Sequence, residues 1–311
     1  MSSPVHASLG APPGKMSVGV TDTVFAYLLN VPTVVVVLGL ITFPIGYSFW
    51  TSLLRFDLRR PDRVAFIGVN NYTRILSTGE FWDALAVTLL FVLLSVALIL
   101  VLGLLLALLV NERFRGNAFI RALILLPWAI PPVVNGMLWQ WLYNGRVGAL
   151  NGLLFSLGVI DSYRSWLLDP QLSIFMLVFA HVWGNTPLAA LVLLAGLQAI
   201  PLDLYDAAIV DRAGLLQRFR HITLPWLIHP ILIVVILETM IAVKTFDIIY
   251  VLTGGGPGNA TTVLAWLTYQ TAFKFSDLGR GNAYAFLLTL LTMALAAVYL
   301  RALYARGDIR Q

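Results

Sequence analysis

Long apolar runs separated by short polar segments set the pattern of this chain. Six of these runs can cross a membrane as helices, because a spanning helix needs about 20 apolar residues. Backbone polar groups in lipid must be satisfied within the segment, which favours helices over a barrel for unbroken runs of this length. The predicted spans are 23–54, 84–111, 122–145, 171–202, 223–252 and 281–300. The pattern therefore predicts an all-α membrane protein with six transmembrane helices.

Composition supports this class and excludes others. Hydrophobic residues make up 59% of the 311 positions and charged residues 11%, with a mean hydropathy of +0.86. Soluble domains carry about 25% charged residues. The net charge of +5 comes without a basic cluster interleaved with aromatics, so it indicates contact with membrane lipid and acidic partner surfaces and no nucleic acid. The absence of cysteine excludes disulfides and thiolate chemistry, and the spacing of the histidines predicts no metal site.

A polar, amphipathic segment, residues 203–225, interrupts the apolar pattern between the fourth and fifth spans. It concentrates seven ionisable residues, whereas the flanking runs are nearly free of charge. These residues are Asp203, Asp206, Asp211, Arg212, Arg218, Arg220 and His221. A membrane protein that places such a helix-forming segment at one membrane face offers a contact to a partner in water. We call residues 203–225 the coupling segment.

The spacing within the coupling segment resembles the EAA loop of ABC-transporter permease subunits. That loop reads Glu-Ala-Ala, three residues, Gly, nine residues, Ile-x-Leu-Pro, and every spacing is matched here. The resemblance implies a coupling helix that contacts an ATPase subunit. The residues implied in this contact are Tyr205, Asp206, Ala207, Ala208, Asp211, Arg212, Gly214, Phe219, Ile222, Leu224 and Pro225.

Two positions depart from the family pattern. Asp206 replaces the glutamate, which keeps the charge on a shorter side chain, and Arg212 stands where the family has glycine. Glycine adopts turn conformations that other residues resist. We therefore expect Gly214, two positions later, to supply the turn.

Further motifs resemble the carbohydrate-uptake permeases, of the MalF-like and UgpA-like type. They are Phe66-x-Gly68-x-x-Asn71-Tyr72, Leu126-Pro127-Trp128, Gly196–Pro201 before the coupling segment, and Phe246–Pro257 after it. The resemblance covers roughly residues 25–305 and implies a MetI-like/MalF-like permease core. It implies as partners a second permease subunit in a heterodimer, two ATP-binding subunits and an extracytoplasmic solute-binding protein. It also implies that this chain is not an enzyme and binds no cofactor, and that ATP and magnesium sit on the ATPase subunits.

The expected organisation follows from the spans and the resemblance. A cytoplasmic tail (1–22) precedes the first span (23–54) and an extracytoplasmic segment (55–83). The permease core of five further spans occupies 84–304, and a cytoplasmic tail ends the chain (305–311). Lysine and arginine counts barely differ between the two sides. The placement of both termini in the cytoplasm of a prokaryotic inner membrane therefore rests mainly on the resemblance.

Four residues are predicted to share the membrane midplane and to line a substrate pathway: Asn135, Trp183, Asn185 and Glu238. A rise of about 1.5 Å per residue places each of them roughly 20 Å into its span. Sugar hydroxyls need hydrogen-bond partners and sugar C–H surfaces need flat apolar faces. For Trp183 the resemblance implies a sugar contact. The alternative for both asparagines is a bond between helices, and for Glu238 a bond to a neighbouring helix or subunit.

Lys244 and Asp247, three positions apart near the end of the fifth span, are predicted to form an ion pair on one helical face. The alternative role for these two residues, together with Tyr250, is an outer gate of the substrate pathway. A different class of function, a secondary transporter driven by ions through Glu238, Lys244 and Asp247, also stays open. The absence of an evident inverted repeat and the fitting motif spacing both speak against it.

Maltose-like oligosaccharides, trehalose, glycerol phosphate and polyols all remain candidate solutes.

Overall fold

A computed structural model of the protein describes residues 20–112 and 115–307. The predicted tails fall largely outside the described residues. The chain divides into two compact units, residues 1–50 and 51–311.

The first unit contributes one apolar helical run. It contains α1 (Val20–Val37), a π-helical turn (Leu38–Thr42) and most of α2 (Phe43–Ser52). Tyr27–Ser52 is apolar over 26 residues and long enough to cross a membrane. This run coincides with the first predicted span.

The second unit holds the remaining helices and a small hairpin. Before the long helices come β1 (Leu54–Arg55), a 3₁₀ turn (Pro61–Arg63), β2 (Ala65–Phe66) and α3 (Asn70–Leu76). The strands pair antiparallel, with Leu54 opposite Phe66. The helices that follow are α4 (Gly79–Asn111), α5 (Asn117–Ala129), α6 (Pro132–Leu142), α7 (Ala149–Ser156), α8 (Pro170–Gln198), α9 (Leu202–Val210) and α10 (Leu215–Arg218). After a π-helical turn (Phe219–Thr223) come α11 (Leu224–Lys244), α12 (Asp247–Leu252), α13 (Leu264–Tyr269), a second π-helical turn (Gln270–Lys274) and α14 (Leu278–Gly307).

Five helical runs among the described residues are long and apolar enough to cross a membrane: Tyr27–Ser52, Gly79–Asn111, Pro170–Gln198, Leu215–Lys244 and Leu278–Tyr299. The mostly helical, multi-pass fold is thereby confirmed. Helices α5 and α6 meet the same test only together, as a pair bent by 96°. The count reaches six if the pair forms one span, so the number of spans stays a prediction.

The third predicted span, 122–145, is not one straight helix. The helix breaks at Ile130 and Pro131, where both backbones are extended with ψ of 126° and 140°. Two consecutive prolines explain the break, because proline lacks the amide hydrogen that continues a helix and disfavours helical geometry in the residue before it.

The continuous fifth span predicted over 223–252 is wrong at its C-terminal end. Helix α11 stops at Lys244, and Thr245 is extended with ψ of 121°. The Thr245 hydroxyl donates to the carbonyl of Ile241 and its amide to that of Ala242, which closes the helix end. Neither glycine nor proline marks this position, so the local sequence carried no breaker signal.

Helix α8 is the centre of the second unit. It packs along α4, where a Cβ atom on Gly103 would lie 3.1 Å from the Cβ atom of Ala189. Nearer the start of both helices, the rings of Phe91 and His181 are 5.0 Å apart. Contacts in the same order along both helices show that α4 and α8 run parallel. On another side Gly196 admits Pro230 of α11, because a Cβ atom there would lie 2.5 Å from the proline ring.

This arrangement gives the second unit two distinct ends. The coupling segment joins the end of α8 to the start of α11 and therefore lies where α4 finishes. The hairpin and α3 precede the start of α4 at the other end. A bridge between Asp57 and Asp277 holds the start of α14 beside them.

Candidate coupling segment and polar cavity

The coupling segment folds as a helix, a tight turn and a return into α11. Helix α9 begins four positions after the last residue of α8, and Pro225 lies in the first turn of α11, where its missing amide hydrogen costs no helical bond. The sequence pattern predicted a helix in the coupling segment, and α9 covers the first part of that segment.

The turn after α9 centres on Arg212, which has a left-handed φ of 58°. The amide of Arg212 donates to the carbonyl of Ile209, and that of Ala213 to the carbonyl of Ala208. This pair of bonds is the Schellman arrangement that ends many helices, with glycine usual at the left-handed position. Gly214 has φ of −68° and ψ of 167°, which any residue can adopt. The expectation that Gly214 supplies the turn is therefore wrong, and Arg212 carries the backbone strain.

A hydroxyl pair ties α9 to the start of α11. The Tyr205 and Thr223 hydroxyl oxygens are 2.8 Å apart, and Thr223 is buried. Tyr205 and Ile222 also pack against the main hydrophobic core. These contacts make α9 part of the helix bundle and not a free loop.

The outer surface of the coupling segment combines carboxylates with an apolar tip. Asp206, Asp211 and Arg212 are exposed and form no salt bridge within the described residues. Beside them Val210, Leu215 and Leu216 are 82%, 80% and 77% exposed. Sequence reasoning stressed the charges and missed this tip, although adjacent leucines in a polar segment were a signal. Of the other predicted residues, Ala207 and Leu224 are exposed, and Ala208, Phe219 and Pro225 are half-buried.

A polar cavity of about 410 Å³ lies where the two broken spans meet α8. The α5–α6 break supplies one wall, α8 the second, and the α11–α12 break the third. Its lining residues are Trp128, Ile130, Pro132, Asn135, His181, Gly184, Asn185, Ile241, Lys244, Thr245, Asp247 and Ile248. Both breaks therefore contribute directly to the cavity.

The structure brings Asn135 and Asn185 together on this cavity. The Asn135 amide group donates to the carbonyl of Ala180 over 3.1 Å, and Gly184 leaves the space that this amide fills. The Asn135 Oδ1 atom is buried and has no hydrogen-bond partner within the described residues. The Asn185 amide group donates to the carbonyl of His181 over 2.8 Å. Asn135 thus joins two helices and keeps one buried acceptor atom without a partner among the described residues.

His181 was not predicted as a site residue. It lies in the middle of α8, is 4% exposed and packs its ring on Phe91. Its Nδ1 atom faces the Asn185 amide at 3.4 Å, and its Nε2 atom has no partner among the described residues. The burial of His181 beside the cavity results from the close packing of α4 on α8, and the sequence spacing gave no sign of it.

Lys244 and Asp247 both line the cavity, yet the ion pair predicted between them is absent although both residues are described. The prediction assumed one continuous helix. Because α11 ends at Lys244 and α12 begins at Asp247, the three-residue spacing no longer places the two side chains on one face. The Lys244 and Asp247 side chains thus line the cavity without forming a salt bridge to each other.

Trp183, Glu238 and Tyr250 lie away from the cavity. Trp183 lines an apolar pocket of about 310 Å³ between α4, α5 and α8, and its ring stands 5.7 Å from that of Trp139. A sugar contact at Trp183 does not fit this position, and Trp128 supplies the aromatic face in the polar cavity. Glu238 is 1% exposed, with both carboxyl oxygens unpartnered within the described residues. Tyr250 packs against Phe246 in an aromatic cluster.

Comparison with known proteins identifies the architecture. Residues 99–306 match the family described as the binding-protein-dependent transport system inner membrane component. The trehalose/maltose transport system permease protein MalF of Thermococcus litoralis is 44% identical over 283 residues, which cover 91% of this chain and 94% of the relative. The sulfoquinovosyl glycerol transport system permease protein SmoG of Agrobacterium fabrum is 38% identical, over 90% of each chain.

Solved structures agree on the fold. A chain of a bacterial ABC transporter involved in the import of the acidic polysaccharide alginate superposes with a TM-score of 0.78. It is 20% identical, and the match covers 94% of this chain and 98% of that one. A chain of the alginate transporter in complex with an alginate pentasaccharide-bound periplasmic protein gives a TM-score of 0.77 over 90% of this chain and 94% of that one.

The strained turn yields a direct prediction. Replacing Arg212 by glycine is expected to stabilise the coupling segment by about 1 kcal/mol, because left-handed geometry costs a non-glycine residue roughly 1–2 kcal/mol. Hydrogen exchange of the backbone amides at positions 212 and 213 in the purified protein measures this gain in stability. The matched control, Gly214→Ala, is expected to leave their exchange unchanged. Faster exchange in Arg212→Gly than in the wild type would contradict the assigned turn.

Proposed function

The chain belongs to the family of binding-protein-dependent transport system inner membrane components, and we propose that it is a permease subunit of an ATP-driven importer for a sugar. The observation that carries this proposal is that one long helix, α8, lines the polar cavity and leads directly into the exposed coupling helix, α9. A transporter driven by a separate motor needs such a connection between solute site and motor contact. The sugar-transport names of its relatives support the solute class.

The proposed assembly pairs this chain with a second permease subunit in the prokaryotic inner membrane. Two ATP-binding subunits bind the cytoplasmic coupling segments, and an extracytoplasmic protein delivers the solute. The family name and the alginate transporter complex with its periplasmic protein support these partners. Both termini then face the cytoplasm, because the coupling segment lies at the end of the unit opposite the start of α4. ATP and magnesium belong to the partner subunits, and this chain performs no hydrolysis.

The coupling segment docks through its apolar tip and its carboxylates. Val210, Leu215 and Leu216 enter a groove on the ATPase subunit, because side chains exposed to this degree gain free energy when an aqueous partner covers them. Asp206 and Asp211 lie at the edge of that contact and accept hydrogen bonds from basic or backbone donors. The docked helix thereby gains both affinity and a fixed orientation.

Movement of α9 reaches the cavity along two routes. Only residues 199–201 separate α8 from α9, so a tilt of α9 moves α8 and its cavity wall. The Tyr205–Thr223 hydrogen bond passes the same tilt to the start of α11, whose far end carries Ile241 and Lys244. Closure of the ATPase subunits would turn the cavity toward the delivering protein, and hydrolysis would return it.

The cavity offers a complete set of sugar-binding groups. The Asp247 carboxylate accepts hydrogen bonds from hydroxyl groups, the Lys244 ammonium donates them, and Asn185 adds an amide group to the lining. The Trp128 ring supplies a flat apolar surface for C–H groups. The volume of about 410 Å³ lies within the range of small-molecule sites. An ion-driven mechanism through Glu238, Lys244 and Asp247 is not supported, because Glu238 lies outside the cavity that the other two line.

Reversing the charge of Asp206 tests the motor contact. In Asp206→Lys, solute uptake by the reconstituted complex is expected to fall at least tenfold, with ATPase activity no longer stimulated by loaded binding protein. The fold should persist, because the Asp206 side chain is exposed and makes no bond in the structure. Asp161→Lys, an exposed carboxylate between α7 and α8, is the matched control and should transport normally. Wild-type uptake in Asp206→Lys would refute the docking role.

Truncating Asn185 tests the solute site. Asn185→Ala removes a polar cavity group whose own bond lies within α8, so the helix should remain intact. We expect the KM for solute to rise about tenfold, the equivalent of one lost hydrogen bond of roughly 1.4 kcal/mol. Trp183→Leu, on the apolar side of the same helix, is expected to leave the KM unchanged. The opposite outcome, a raised KM in Trp183→Leu and an unchanged KM in Asn185→Ala, would show that the solute binds on the other side of α8.

A further inference from the structure

A second cavity, with no part in solute passage as described above, lies at the opposite end of the unit from the coupling segment. It has a volume of about 720 Å³ and opens between the hairpin–α3 region and the start of α14. Five arginines and two aspartates are among its lining residues: Arg55, Arg60, Arg63, Arg74, Arg280, Asp57 and Asp277. We call this cavity the arginine basin.

The two aspartates of the arginine basin do not neutralise its other charges. Arg59 holds Asp57 through two side-chain hydrogen bonds of 3.0 and 2.9 Å and one from its own amide, which lowers the pKa of that carboxyl to about 2. Asp277 is bonded by the Arg280 Nε atom at 2.7 Å. Arg60, Arg63 and Arg74 form no salt bridge within the described part of the chain. The basin therefore presents positive charge that no salt bridge within the described residues compensates.

The arginine basin lies beside the start of α4, a helix long and apolar enough to cross a membrane. Trp82, in the first turn of α4, is 53% exposed, and a tryptophan at the end of a span typically sits among lipid headgroups. Its indole nitrogen donates to the carbonyl of Leu76 over 3.0 Å. Leu76 ends α3, the helix that carries Arg74 into the basin. This hydrogen bond therefore ties the basin to the level of Trp82, where headgroups are expected.

The residues around the basin have the composition of a membrane-facing surface. Leu58, Val64, Phe66 and Val69 are 44–63% exposed and alternate in sequence with the arginines. In water this exposure would be unfavourable, whereas at a lipid surface apolar side chains enter the acyl boundary while guanidinium groups reach the phosphates.

We propose that the arginine basin binds the phosphate group of an anionic phospholipid in the outer leaflet. A guanidinium group can form two parallel hydrogen bonds with phosphate oxygens, and several arginines around one concave site fix the headgroup in place. Such a lipid would anchor the hairpin and α3 to the start of α14. The inference does not depend on which solute the chain carries.

The experiment compares the assembled complex in phosphatidylcholine nanodiscs with and without phosphatidylglycerol. Phosphatidylglycerol is expected to raise the unfolding temperature of the wild type, and added salt to reduce the rise. Arg63→Gln/Arg74→Gln should unfold at the wild-type temperature in phosphatidylcholine alone but bind phosphatidylglycerol on the order of tenfold more weakly. Arg146→Gln/Arg164→Gln, two exposed arginines between α6 and α8, is the matched control and should respond as the wild type does.

Three outcomes would overturn the proposal. An equal response to phosphatidylglycerol in the basin variant and the wild type would show that the basin does not hold the lipid. A rise produced equally by inorganic phosphate in phosphatidylcholine discs, and lost in the basin variant, would assign a site for free anions. Weaker binding of the solute-binding protein by the basin variant, with an unchanged lipid response, would make the basin a protein-docking surface.

Discussion

The close packing of α8 against α4 and α11 is the constraint on which the rest of the structure depends. Gly103 and Gly196 let the backbones approach so closely that an added methyl group would crowd Ala189 at the first position and collide with Pro230 at the second. Apolar side chains gain little by leaving lipid for a protein interior, so contacts between small residues hold membrane helices together. This packing makes α8 a stiff element with the polar cavity on its middle and the coupling helix at its end.

The same packing explains how polar groups persist inside the bundle. Asn135 reaches the carbonyl of Ala180 because Gly184 has no side chain, and His181 is enclosed by Phe91. Both keep one polar atom without a partner among the described residues. Buried polar atoms of this kind are unfavourable unless a ligand or water bonds them, so a solute that supplies hydroxyl groups is a natural occupant. Glu238 also has unpartnered carboxyl oxygens within the described residues, but it does not line the cavity.

The sequence was sufficient for the class of fold, because long apolar runs are local signals. It was insufficient wherever a tertiary contact decides the outcome. The α11–α12 break occurs without proline or glycine, and it separates Lys244 from Asp247. Arg212 adopts the left-handed geometry that the glycine rule assigned to Gly214. The choice between the two sides of α8, which separates Trp183 from Asn185, depends on which neighbouring helix covers each side.

A rigid connection between α9 and the cavity portion of α8 is the central claim, and a distance measurement tests it most directly. The chain has no cysteine, so spin labels at Phe175→Cys on α8 and Asp203→Cys on α9 can be introduced without background. Double electron–electron resonance on the assembled importer should give the same distance between these two labels with and without bound ATP. The distance from the label at 203 to its counterpart on the second permease subunit should change. A shift of the distance within this chain on ATP binding would contradict the account, because the helix would then bend and not transmit the motion.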